Sequence, residues 1–371
     1  MFRSRMCESM GLPHIPKTFL LGALRLLLLL GLALPCLSYA RKASKTLTVA
    51  TDGTGGFQSV QEAVNALPNG NGSILIRPGV YRERVHISAP HVRLIGAAKH
   101  PSRVKIIFDA SHGTVGDTLG SATVTVDGDD FFADGITFEN DFSRGKPLMP
   151  QGSQAVALLL RGGRSVLRHV RMLGAQDTLY LGSKSCASEQ GPCAPARQYL
   201  SDCYVEGNVD FIFGDGMAVF YHCEIHALAH KPVFLTAQSR HYAQESSGYV
   251  FEHCRVTADT GAENIFLGRP WRPYSTVVFL STILDAKIEP AGWREWHPGE
   301  THSLETSFYA ELNSSGIGAS PQVRDPRSLL ALFVNGEDLT PDHGYPARII
   351  VPAAPGVLNT KWVARMTFGD L

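Results

Sequence analysis

The sequence is short of charge. Only 18% of its 371 residues are Asp, Glu, Lys or Arg, and 34 acids cancel 34 bases. Ordinary soluble chains carry about 25%. A nucleic-acid binder presents a basic face or stripe, and this balance offers none. Residues 1–40 hold four bases (Arg3, Arg5, Lys17, Arg25) and one acid (Glu8), so the remainder has 30 bases, 33 acids and a net charge of −3. Hydrophobic residues reach 44%, a composition that forms a core and argues against disorder.

A long apolar run is also missing. The longest stretch, Phe19 to Leu34, is interrupted by Arg25, and a membrane span needs about 20 apolar residues. Lys17 precedes the stretch. Ser38-Tyr39-Ala40 follows it, with small residues one and three positions before a cut after Ala40. Residues 1–40 are therefore expected to be a secretory signal peptide, with a retained N-terminal anchor as the alternative. Cys36 follows Pro35, which argues against lipid attachment, and Met6 or Met10 could be the true start. The mature protein is expected to be secreted, without a membrane span, into the extracellular space or cell wall, or into the periplasm in a bacterium.

Metal-ligand spacing is absent too. Of seven cysteines, Cys7 and Cys36 lie in the export segment, and the other five form no Cys/His pattern of a metal site. No metal or cofactor is expected. Cys186 and Cys193 flank a loop containing Gly191-Pro192, so a local disulfide is expected in an oxidising compartment.

Helical periodicity occurs once. Phe57, Val60, Val64 and Leu67 share a face, Ser59 with Glu62 reads as a capping box, and Pro68-Asn69-Gly70 closes the segment. Beyond it come short β-rich runs separated by Gly, Pro, Asn and Asp: 74–76, 85–87, 92–95, 104–108 and 124–126.

Six segments then repeat a common pattern. Their third positions are Ile136, Val170, Cys203, Cys223, Cys254 and Ile283, spaced by 20 to 34 residues. The fifth positions are apolar except Asp285. Short strands recurring without helical connectors predict an all-β solenoid, a parallel β-helix with one short N-terminal helix. The third position is expected to face inward, making Cys203, Cys223 and Cys254 a row of buried thiols that behave as small hydrophobes. A disulfide between two of them is the alternative.

Two coils continue alike, as Gly174-Ala175-Gln176-Asp177 and Gly207-Asn208-Val209-Asp210. The aspartates are 33 residues apart, as are positions 170 and 203. Coils stacked in register lie about 4.8 Å apart, which would make the two carboxyls neighbours. Such a pair splits its titration, so one member keeps a proton and the other serves as nucleophile or base. The plainer reading of each aspartate is a turn that ends a strand. Gln154 and Gln176 add neutral amide donors suited to an oxyanion. Phe211-Ile212-Phe213 would keep the site dry. Leu267-Gly268-Arg269-Pro270-Trp271 adds a guanidinium that could orient Asp210 and an indole that could stack on a sugar. The plainer readings are a surface ion pair for Arg269 and a core aromatic for Trp271.

The ordered blocks Gln154-Ala-Val-Ala-Leu158, Gln176-Asp177-Thr-Leu-Tyr180, Gly207-Asn-Val-Asp210-Phe-Ile-Phe213-Gly214 and Leu267-Gly-Arg269-Pro-Trp271 resemble the signatures of pectin methylesterases, the pectinesterase family. The stretches at 56–63, 78–83, 135–140 and 236–238 support the likeness, which covers residues 46–318. The resemblance implies a right-handed, single-stranded parallel β-helix and a metal-free aspartyl esterase acting on methyl-esterified homogalacturonan (pectin). It implies Asp210 as nucleophile, Asp177 as general acid and base, Gln154 and Gln176 as oxyanion donors and Arg269 as the residue that orients Asp210. Trp271 and Phe213 shape the sugar subsites, with Gln154 and Arg269 also facing substrate. The chain is expected to act as a monomer.

Asn208 departs from the Thr of many members, and Ser239 from the usual Gly. The expected layout is a signal at 1–40, the catalytic solenoid at 41–320, and a segment at 321–371 of loops and short helices packed on it. No inhibitory pro-domain fits between Ala40 and the solenoid. Asn71-Gly72-Ser73 and Asn313-Ser314-Ser315 are sequons in a eukaryotic host. A β-helix glycosidase or lyase, and a non-catalytic pectin-binding protein, are the competing readings.

Overall fold

The computed structural model describes residues 45–143, 152–183, 196–297, 299 and 303–320, with the backbone of four short strands between 329 and 350. The chain divides into two units, 1–44 and 45–371. The first, with the expected signal, lies outside the described residues, as does the Cys186–Cys193 pair.

The central coils of the second unit each contribute a strand to each of three sheets. One coil and the next run Ser165–Arg168, Arg171–Leu173, Leu179–Leu181, then Arg197–Ser201, Tyr204–Gly207, Ile212–Gly214. The sheets have eleven, eight and six strands, and successive coils pair in parallel. The fold is a right-handed, single-stranded parallel β-helix, the hand that parallel crossovers take.

Alternation along each strand sets which side chains face inward. In the eleven-stranded sheet Ile74, Leu94, Ala133, Leu167, Leu200, Phe220, Phe251 and Phe279 stand in one inward row. The three phenyl rings stack with centroids 4.4 and 4.5 Å apart. Such contacts add about 0.5–1.5 kcal/mol each beyond area burial.

The expected helix is Val60–Asn65, packed on the first coil through Val60, Ala63 and Val64. Ser59 caps it by accepting from the Glu62 N–H at 3.2 Å. The rest of the cap comes from Glu83, not from Glu62 as the capping box suggested. Glu83 accepts from the N–H groups of Val60 and Gln61 and from the Ser59 hydroxyl at 2.7–3.0 Å. A carboxylate from the next coil thus meets the positive helix terminus.

The corner between the first two sheets repeats a left-handed residue: Gly135, His169, Asp202, His222, His253 and Ser281 have φ between 48° and 69°. The residue after each faces inward. Cys203, Cys223 and Cys254 occupy that slot as free, buried thiols, as expected. Each Sγ also donates to the carbonyl two residues earlier and to one in the preceding coil, at 3.3–3.7 Å. In these three coils the slot thus holds a small side chain with a weak donor, where the two coils before them hold apolar Ile136 and Val170.

In the last coil the slot belongs to Thr282 and not to Ile283. Arg255 pairs with Ile283 and Val256 with Leu284, which aligns Cys254 with Thr282. Thr282 is fully buried and donates to Phe251 and Leu280 as the thiols do, while Ile283 is 44% exposed. A slip of one residue reverses every face. The corrected register also puts buried Leu284, not Asp285, in the fifth position.

Between 321 and 371 the described parts are four short strands, where loops and short helices were expected. Leu329–Ala331 pairs antiparallel with Arg348–Ile350, and Phe333–Val334 with Glu337–Asp338. No helix among the described residues is long and apolar enough to cross a membrane.

Candidate active site

The site begins with the Gly-x-x-Asp corner between the second and third sheets. Arg171 pairs with Tyr204 before it and Leu179 with Ile212 after it. Both offsets are 33 residues, so Asp177 and Asp210 occupy the same place in adjacent coils. The corners are laced together: Asn208 N–H donates to Ala175 O at 2.9 Å, Asp177 N–H to Val209 O at 3.1 Å, and Leu179 N–H to Phe211 O at 2.8 Å. A β-carbon at Gly207 would collide with that of Phe211, and one at Gly174 with the Thr178 hydroxyl. The chain folds back over these glycines. Both aspartates then take left-handed backbone, φ 63° and 52°, a conformation that Asp tolerates better than most side chains do.

The two carboxyls differ in their partners. Arg269 donates from Nε to Asp210 Oδ1 at 2.9 Å and from Nη2 to Oδ2 at 2.6 Å. Its third donor, Nη1, meets the Trp296 carbonyl at 3.3 Å. The guanidinium carbon lies 4.1 Å from the centre of the Trp296 ring and 4.3 Å from that of Phe234, which fixes its plane. Asp177 has no such clamp. Burial first, then the negative charge of Asp210, push its carboxyl well above the usual carboxylate range, with Arg269 opposing only partly. Burial also raises Asp210, but the hydrogen bonds and charge of Arg269 pull it back. Asp177 is thus the member that keeps its proton, and Asp210 the one that ionises.

The amides come from two coils, Gln176 beside Asp177 and Gln154 on the coil before. Ala155 N–H donates to Gln176 O at 3.1 Å, which sets Gln154 beside Gln176. The Ser153 hydroxyl donates to Gln176 Oε1 at 3.0 Å, leaving the Gln176 NH2 as its free donor. Gln154 Oε1 is buried without a hydrogen-bond partner, so Nε2 is the open end of that side chain.

The outward face of the six-stranded sheet supplies an apolar floor. Leu159, Tyr180, Phe213 and Ala237 stand in one row across four strands. Tyr180 meets Phe213 edge-on at 5.0 Å, Trp271 lies 6.0 Å from Phe213, and Trp296 stacks 6.3 Å from Trp271. Trp271 is held by its N–H to Gln238 O at 3.1 Å, and Arg269 by its N–H to Thr236 O at 3.0 Å. Gly268, just before Arg269, lets the chain pass against Thr236, whose hydroxyl a β-carbon would strike.

The seven expected site residues, Gln154, Gln176, Asp177, Asp210, Phe213, Arg269 and Trp271, are thus linked from coil to coil by register, hydrogen bonds and ring contacts. Ser153, Tyr180, Phe234 and Trp296 were not anticipated. The signal for Trp296 was present: Trp271, Trp293 and Trp296 are three of only four tryptophans in the chain. Among the described residues no group of His, Cys, Asp or Glu is arranged to hold a metal ion. A buried acid beside a clamped carboxylate, with two amides and aromatic walls, can carry out acyl transfer on an uncharged ester of a sugar.

A family model described as Pectinesterase matches residues 46–327. Pectinesterase 31 of Arabidopsis thaliana is 36% identical over 300 residues, covering 77% of this chain and 87% of that protein. The chain spans about half the length of several other curated relatives it matches, 48% and 47% of two from the same plant. Among solved structures, pectin methylesterase from carrot aligns with a TM-score of 0.65 and 31% identity, over 74% of this chain and 83% of that one. A pectin methylesterase in complex with a hexasaccharide aligns with a TM-score of 0.61 and 28% identity, over 74% and 90%.

Proposed function

This chain belongs to the pectinesterase family, and we propose that it hydrolyses the C6 methyl esters of homogalacturonan with Asp210 as nucleophile and Asp177 as acid and base. The observation that carries these roles is the asymmetry of Arg269, which grips both oxygens of Asp210 and leaves Asp177 to keep its proton.

An Asp210 oxygen attacks the ester carbonyl carbon, and the carbonyl oxygen becomes an oxyanion. The amides of Gln154 and Gln176 donate to that oxygen, where charge builds in the transition state. The intermediate collapses as Asp177 gives its proton to the methoxy oxygen. Methanol leaves, and the galacturonate is joined to Asp210 as an acyl-enzyme. Asp177, now a carboxylate, takes a proton from water while the water oxygen attacks the same carbon. Collapse of the second intermediate frees Asp210 and a galacturonate carboxyl, and Asp177 is again protonated. Trp271 and Phe213 hold the sugars over the pair.

The substrate is a polymer of walls and extracellular matrices, and residues 1–40 read as an export signal. Secretion is therefore the setting that fits the reaction. All the site residues come from one chain, so a monomer suffices.

The test is product analysis on high-ester pectin. Methanol without new chain ends is expected. New reducing ends or unsaturated uronides in place of methanol would identify a glycosidase or a lyase. Pectin binding without any product would identify a non-catalytic member.

A further inference from the structure

We propose that Arg272, held by His241 against Trp271, is a subsite for a free galacturonate carboxylate, so that the groove prefers pectin already partly de-esterified. This inference rests on the pectinesterase reading and adds to it the state of the sugars beside the reacting one.

Arg272 follows the wall residue Trp271, and its guanidinium carbon lies 5.0 Å from the centre of that indole ring. Two contacts fix the fork. Nε donates to His241 Nε2 at 3.3 Å, and Nη1 donates to the Trp271 carbonyl at 3.0 Å. In accepting at Nε2, His241 carries its proton on Nδ1, which is buried and has no hydrogen-bond partner. Among the described residues the only polar contact of the imidazole ring is thus with Arg272, and His241 acts as its positioning residue.

Among the described residues no acid neutralises the charge of Arg272. The arginines at 82, 161, 164, 255 and 269 each meet an aspartate. No carboxylate among the described residues lies within ion-pair distance of Arg272. Glu245, the acid of the neighbouring loop, is turned to the His241 backbone N–H, which it meets at 2.7 Å. Arg272 is half-buried beside aromatic walls, so water screens it less than it would a surface charge.

Each turnover converts a neutral ester into an anion on the same polymer. Tyr180, Phe213 and Trp271 stack equally well on either kind of sugar. A fixed guanidinium with Nη2 uncommitted does not, because its hydrogen bond to a carboxylate is charge-assisted and the one to an ester carbonyl is weaker. A chain that presents an acid at Arg272 is held for the next ester, which favours clustered de-esterification.

The experiment compares kcat/KM on half-esterified and fully esterified oligogalacturonate hexamers of matched length, for wild type, Arg272→Gln and Arg272→Lys. In the Gln variant the ratio of half- to fully esterified kcat/KM is expected to fall about tenfold, with an intermediate fall for Lys. Binding of de-esterified hexamer to wild type, followed calorimetrically, is expected to weaken with salt and to weaken about tenfold in the Gln variant. Equal losses on both substrates, or an unchanged ratio in both variants, would overturn the inference and leave the esterase reading intact. Wild-type protein that released no methanol from either hexamer would instead undo the esterase reading.

Discussion

Arg269 holds both carboxylate oxygens of Asp210, from Nε and Nη2 at 2.9 and 2.6 Å, and neither oxygen of Asp177. Two aspartates with the same backbone turn on adjacent coils are thereby made chemically different.

Replacing Asp210 with Ala removes the attacking oxygen. Methanol release is expected to fall by about 10⁴-fold or more, the usual loss for a nucleophile. Circular dichroism and the melting temperature should stay close to wild type. Turnover near the wild-type rate would remove the assignment.

Arg269→Lys replaces a two-pronged clamp with a point charge. If the clamp contributes about 2–3 kcal/mol, kcat falls about 10²-fold. Without the clamp Asp210 holds its proton more tightly, so the acid limb of the kcat/KM profile moves to higher pH. A variant with normal kcat and an unmoved acid limb would mean that Arg269 serves packing alone.

Gln154→Ala and Gln176→Ala each remove a donor to the oxyanion. A loss of about 10²–10³ in kcat, with KM little changed, is expected for either. Ser153→Ala frees the amide of Gln176 to rotate and should cost less. If KM rises and kcat holds, the amides bind ground-state substrate only.

Asp177 ties stability to pH. Its carboxyl titrates well above 3.8 in the folded protein, chiefly through burial. Between that ordinary value and the raised one, the folded state binds more protons than the unfolded state. Stability therefore falls as pH rises through this window. Asp177→Asn removes the effect. The melting temperature of the variant minus that of wild type should grow as pH increases from about 4, and a constant difference would contradict the shift.

Much of this was legible because a solenoid writes its geometry as an interval. The 33-residue spacing of Asp177 and Asp210 matched the spacing of the strands before them, and the strand pairs on both sides keep it. Register failed where chemistry misled. Thr282 fills a slot whose neighbours are thiols, and apolar Ile283 next to it looked the better occupant. In the last four coils the occupant also donates to two carbonyls, which a hydrophobic pattern does not report. Glu83 at the helix start was hidden for another reason: it meets its partners across a coil boundary, from a segment whose own spacing carries no trace of the contact.

The Gly-x-x-Asp corners are stitched coil to coil by main-chain hydrogen bonds. The gap between proton donor and attacking oxygen is therefore quantised by the pitch of the solenoid. Insertions that lengthen a wall of the groove leave that gap alone, because widening it would require a whole extra rung between the two aspartates. Related chains can thus remodel what they grip while the reacting distance stays at one rung.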